Sequence, residues 1–165
     1  MAIVSTDIQY RLSGGAANSA PASSLGGAKS SVSMSTDLFD DVSSGEAAAG
    51  DTEYRCIYVH NNHGTLTAEA AKIWVQTNTP STDTTVSIGL GTSAINGTEQ
   101  TVADESTAPS GVSFSAPSTE GTALSLGNIP AGQHKAVWVR RVVNASAAAY
   151  TNDTFTLRTK CDTAA

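Results

Sequence analysis

From Asp51 to Lys160 the chain breaks into short apolar runs, nearly all bounded by Gly, Pro, Asn or Asp, and none shows a sustained 3.6-residue period. A chain so divided cannot build long amphipathic helices; it can build strands and tight turns. Glu53–Asn61 is rich in aromatic and β-branched residues and ends in Asn61-Asn62-His63-Gly64, a turn signal. Ala71–Asn78 and Thr84–Leu90 alternate apolar and polar residues, with the turn cluster Thr79-Pro80-Ser81-Thr82-Asp83 between them. Asn96-Gly97 marks another tight turn. Gly111–Ser115 and Thr122–Leu126 read as shorter strands, His134–Val143 as the strongest one, and Asp153–Lys160 as the last.

About seven strands at this spacing predict an all-β fold, an Ig-like two-sheet sandwich over residues 51–165. A jelly roll or small barrel is the structural alternative. The expected core is Ile57, Val59, Ile73, Val75, Val86, Ile88, Val137, Val139, Phe155 and Leu157. Tyr54, Cys56 and Tyr58 compete with Ile57 and Val59 for the inside, because a one-residue slip turns a strand over.

The first fifty residues are different. Ile8, Tyr10 and Leu12 alternate with polar neighbours in a single strand, followed by a Ser/Ala/Gly stretch to Ser35 with neither a 2-residue nor a 3.6-residue period. That composition reads as an extended arm over residues 1–50 that packs on other subunits. Within it, Leu38-Phe39 is a small apolar anchor, and Glu46-Ala47-Ala48-Ala49 forms a helical turn stopped by Gly50.

Composition narrows the function. Ser, Thr and Ala fill 67 of 165 positions and aromatic residues only 5%, so the apolar core is concentrated in part of the chain. A formal charge of −6 disfavours nucleic acid and anionic membrane surfaces as partners. Residues 1–15 contain no apolar run of signal-peptide length, so synthesis in a cytoplasm is expected.

Chemistry-bearing motifs are sparse. Cys56 and Cys161 lack CxxC spacing; the readings are free thiols, a Cys56–Cys161 bond, or a bond from Cys161 to a neighbour. His60 and His63 are too few for a metal site and read as solvated turn residues. Asp37, Asp40, Asp41 and Asp51 lack the EF-hand pattern and read as solvated loop charge. Glu99, Asp104 and Glu105 lie in the long Ala94–Glu120 segment, without the aromatic cleft a glycosidase would want. No GxSxG elbow or phosphate-binding glycine loop occurs. His134-Lys135 and Arg140-Arg141 flank an apolar strand, either as an interface patch for an acidic neighbour or as guarding charges. No catalytic residue, cofactor or metal is expected.

Several segments resemble small structural proteins of tailed-bacteriophage virions: Asp7–Gly15, Ser24–Gly27, Leu38–Val42, Gly50–Cys56, Ile129–Gln133 and Val137–Arg141. The resemblance implies a non-enzymatic, Ig-like virion component, with capsid decoration (cement) as the most familiar role. Collar, tail or baseplate positions, or a surface module binding host glycan or protein, are the alternatives. The implied location is the virion, after synthesis in the host bacterial cytoplasm. The implied partners are the major capsid protein, other virion proteins and further copies of the chain. Ile8, Tyr10, Leu12, Leu25, Leu38 and Phe39 are the expected interface residues.

Overall fold

The structure is a computed structural model that describes residues 2–34 and 37–163. It contains nine strands among those residues: β1 (Ile8–Leu12), β2 (Gly26–Gly27), β3 (Asp51–Asn61), β4 (Ala68–Thr77), β5 (Thr84–Leu90), β6 (Glu99–Thr101), β7 (Leu124–Ile129), β8 (His134–Val143) and β9 (Thr156–Thr163). The one α-helix, α1 (Ser44–Ala49), is a single capped turn: Ser43 accepts the Glu46 N–H and Glu46 accepts the Ser43 N–H. Gly50 ends it with φ +78°.

The chain is an all-β sandwich. One sheet has the order β1-β3-β8-β5, the facing sheet β7-β4-β9, and β2-β6 form a separate two-stranded ribbon, all antiparallel. Strands β3, β4, β5, β7, β8 and β9 alternate between the two sheets, so each connection crosses the core instead of forming a hairpin. Leaving the ribbon aside, seven strands remain, and their order departs from the constant immunoglobulin domain in both sheets. There the fifth strand lies between the second and fourth; here the sixth, β8, does so, and the fifth, β7, pairs with β4.

Eight of the ten expected core residues are buried between the sheets: Ile57, Val59, Ile73, Val75, Val86, Ile88, Val137 and Val139. Phe155 and Leu157 are half-buried and pack against them, because β9 is an edge strand. The competition on β3 has an unexpected outcome, since both faces are buried. Tyr54, Cys56 and Tyr58 point away from the first core and form a second one with Ala136, Trp138 and Val102. Leu25, Val112 and Phe114 pack onto this second core from outside. The structure therefore has three layers, the third made of loops and the β2-β6 ribbon.

That third layer overturns the free arm. Strand β1 pairs with β3 through Ile8↔Asn61 to Leu12↔Ile57 and forms part of the sandwich. The Ser24 carbonyl accepts the Cys56 N–H at 2.7 Å, and the Leu25 carbonyl accepts the Val102 N–H at 2.9 Å. Ser13, Ser24 and Ser30 are fully buried. Their small side chains let backbone approach backbone, and their hydroxyls replace a regular ladder: Ser13 accepts the Gly26 N–H, and Ser30 donates to the Asn18 carbonyl. Residues 2–34 thus pack on their own domain; Ser35 lies outside the described residues. Gly26 shows how tight the contact is, because a Cβ there would stand 1.8 Å from the Gln100 carbonyl oxygen.

Gly111–Ser115 is not a strand. Only Ser115 forms a bridge, to Ile88, and the segment otherwise lies over the second core with Val112 and Phe114 inward.

Candidate functional site

The densest cluster of ionisable side chains sits inside one end of the sandwich. On β3, residues of the core-facing phase run Val59, Ile57, Arg55, Glu53; on β8 they run Val137, Val139, Arg141. Glu53 stands opposite Arg141 in register and meets its Nε at 2.5 Å. Arg55 is paired with Glu105, and the Asp40 carboxylate lies 3.8 Å from both guanidinium groups. The Asp40 carbonyl accepts from Arg141 at 2.6 Å. Phe39 closes the end of the cluster, its ring 4.9 Å from the Arg141 guanidinium and 5.5 Å from that of Arg55, with Phe155 tilted against it. Burial pushes the Glu53 carboxyl upward, and Arg141 and then Arg55 pull it back.

The Asp40, Glu53 and Glu105 carboxylates lie within 4.8 Å of one another, the spacing of a cation site. Two guanidinium groups already supply the positive charge there. The arrangement is an ion-pair network that ties residues 38–41 and the Glu105 loop onto the sheets. Asp40, read as solvated loop charge, is exposed but also borders both guanidinium groups, and Glu105 pairs with Arg55. The signal for this network was the position of Glu53 and Arg55, in phase with Ile57 and Val59 on a core strand.

A second cluster lies on the opposite face of the same sheet. His60 and His134 are cross-strand partners with ring centroids 6.5 Å apart, and Tyr58 meets the His134 ring edge-on at 4.7 Å. Burial, and then the Lys29 charge, hold both imidazoles below their ordinary range; Arg11 adds to the effect on His60. His60 is thus a buried residue, contrary to its reading as a solvated turn residue. His63 is a turn residue, its Nδ1 accepting the Thr65 and Leu66 N–H groups. Burial also raises the Tyr58 phenol to about 12, and its hydroxyl donates to the Gly27 carbonyl.

Glu99 is buried in the third layer and organises a turn. Burial alone would raise its carboxyl, but the Ser93 N–H and the Ser93 and Thr92 hydroxyls outweigh that and hold it at about 2. Lys135 donates to the Gly91 and Ser93 carbonyls of the same turn. Arg140 stacks on Phe114 at 5.0 Å and donates to Ser87, while Arg141 belongs to the network above. Within the chain, the basic residues around β8 thus bind neighbouring strands and loops.

Of the six expected interface residues, two are buried and four are partly buried. Leu12 and Leu38 are buried in the first core, Ile8, Tyr10 and Phe39 pack against it, and Leu25 packs against the second. Cys56 and Cys161 are both free. Cys56 is in the second core and Cys161 faces the first, so the intrachain bond is excluded by a sheet between them. An open groove of about 540 Å³ lies between Gly14-Gly15, Gly26-Gly27 and Thr101-Val102, with no ionisable side chain in its lining.

Among the described residues no helix is long and apolar enough to cross a membrane. The fold and its clusters define the chain as an all-β sandwich protein whose charged groups fasten loops to sheets. Compared with known protein families, curated proteins and solved structures, it matches none.

Proposed function

We propose that the chain is a non-enzymatic virion structural protein of a tailed bacteriophage, with capsid decoration as its role. The observation that carries the reading is the use made of its ionisable side chains. Glu53, Arg55, Arg141, Glu105, Glu99 and Lys135 bind one another or backbone carbonyls and N–H groups; Glu53–Arg141 ties β3 to β8, and the other contacts fix loops to the sandwich. Such fastening suits a part that must hold its shape between neighbours. The sequence resemblance to virion proteins supports the same reading. The Ala94–Glu120 segment bonds Tyr54 and Ile88 and packs Val112 and Phe114 on the second core, which favours decoration over a free host-binding loop.

The bridging surface in this reading is the outside of the folded body, since residues 2–34 are committed to their own domain. A protein that binds assembled subunits better than free ones stabilises the assembly by mass action. Particles made without the protein should release their contents at lower temperature, and adding it back should restore the wild-type value. Particles that lack it yet resist heat and infect normally would reject decoration and favour a collar, tail or adhesion role.

A further inference from the structure

The strand edges of this sandwich are not treated alike. In the β1-β3-β8-β5 sheet, residues 32–34 cover β1, with Leu12 N–H on Val32 and Met34 N–H on Tyr10. The open half of β3 is closed by the Ser24 and Glu105 carbonyls. On β5, the Asn78 side chain bonds both the N–H and the carbonyl of Val86, and Ser115 bonds Ile88 in both directions. In the facing sheet, the last turn of β4 is met by Pro117. Among the described residues, β9 makes backbone ladder bonds to β4 alone.

The other uncovered edge, β7, is irregular. Its pairing with β4 shifts register twice, and Gly127 there has φ +76°, features that spoil an edge as a template. The irregularities in the β4–β9 pairing fall on β4: Glu69 to Lys72 spans three steps against two from Asp162 to Lys160, and Val75 to Thr77 spans two against one. Strand β9 itself runs eight residues without an inserted one.

We infer that β9 is a self-association edge, on which a second copy of this chain adds its own β9 in antiparallel order. The sequence of the edge is self-complementary. With Cys161 at the two-fold axis, Lys160 stands opposite Asp162 of the second copy, twice, and Thr159 opposite Thr163. Opposite charges and hydroxyl residues in directly opposed positions favour an antiparallel pair. Arg158, Lys160 and Asp162 are all exposed; Lys160 holds Glu120 at 2.8 Å in the single chain and would exchange that surface partner for Asp162 of the second copy. Val4, 57% exposed, adds an apolar side chain at the Thr163 end, next to Ile3, whose N–H bonds the Thr163 hydroxyl. Pairing would join the two three-stranded sheets into one of six strands. The inference does not depend on the virion reading, since it concerns the isolated chain.

The test is sedimentation equilibrium on the full chain from about 5 to about 200 µM, with thermal melting to check that each variant folds. The expected result is a concentration-dependent dimer. Asp162→Lys places like charges opposite each other and should weaken the dimer by about tenfold or more. Lys160→Asp combined with Asp162→Lys restores opposition and should recover wild-type association within about threefold. Diamide, accepting the two thiol hydrogens, should link Cys161 to its counterpart at the axis, since directly opposed residues bring Cα atoms to disulfide distance. That cross-link should persist in Cys56→Ser and vanish in Cys161→Ser. A monomer throughout this range, a dimer indifferent to Asp162→Lys, or failure of the double variant to recover each overturns the inference.

Discussion

His60 and His134 face each other across the β3–β8 ladder, and the Lys29 charge bears on both rings. Their other charged neighbour is Arg11 on β1, which acts on His60; Tyr58, neutral at ordinary pH, packs against His134. No carboxylate contributes to either shift.

The pair predicts a stability loss on mild acidification. Both imidazoles have folded pKa values held below the ordinary histidine value of about 6.5. Their contribution is complete above the unfolded pKa and is lost as pH falls through the folded values, because the unfolded chain binds protons first. The melting temperature should drop between about pH 7 and about pH 5, before most carboxylates titrate. Replacing both residues with Gln should flatten that part of the profile. An unchanged slope in the double variant would remove the histidines from the explanation.

The buried ion-pair network separates two mutations that look equivalent in sequence. Glu53→Ala leaves the Arg141 guanidinium buried without its 2.5 Å partner, and loss of one member of a buried pair costs about 3–5 kcal/mol. Asp40, with its side chain 66% exposed and 3.8 Å from both arginines, contributes through solvent, so Asp40→Ala should cost less than about 1 kcal/mol. Urea unfolding of the two variants reads the difference. Equal losses would mean that Glu53 is not the centre of the network.

What could be read from the sequence follows from period. Val86, Ile88, Val137 and Val139 alternate strictly, and the structure buries all four between the sheets. His134–Val143 has the predicted bounds because Pro130 to Gly132 precede it and Asn144 follows. The third layer was hidden because its residues carry no period. Ser13, Ser24 and Ser30 are polar and small, and in sequence they cannot be told from linker serines. Their role depends on backbone contacts with β3 and on Asn18, which only the folded chain brings together. The Gly26-Gly27 strand is lost in the same Ser/Ala/Gly stretch of the expected arm, since only the folded chain, with positive φ at both glycines, places them against Gln100 and Thr101. The ion-pair network was half visible: Glu53 and Arg55 are in core phase, but their partners Arg141, Glu105 and Asp40 come from distant segments.

Glu99 gives an acid-side prediction distinct from the histidines. Its carboxylate accepts the Ser93 N–H at 2.9 Å and the Thr92 hydroxyl at 3.0 Å. With a folded pKa of about 2 against 4.5, it stabilises the fold above the unfolded value, and the contribution is lost as pH falls toward the folded one. Glu99→Gln should cost about 1.5–3 kcal/mol at neutral pH, the range for hydrogen bonds to a charged group. It should also reduce the stability loss between pH 4.5 and pH 2. Paired melts of wild type and variant across that window provide the measurement.

Gly26 and Gly127 test whether the third layer is structural or merely laid over the sheet. Both have positive φ, +94° at Gly26 and +76° at Gly127, so a side chain is strained at each. Only at Gly26 does it also collide with backbone, 1.8 Å from the Gln100 oxygen; at Gly127 nothing lies within 4 Å. Gly127→Ala should therefore cost about 1 kcal/mol, the strain alone. Gly26→Ala should cost about 3 kcal/mol, because the ribbon must separate to admit the methyl group. Separation would also release the Ser24 carbonyl from the Cys56 N–H, so hydrogen exchange at Cys56 should accelerate in Gly26→Ala and stay slow in Gly127→Ala. If both amides exchange alike, the layer is not coupled to the sheet, and the fully buried state of Trp138 beneath it would need another cause.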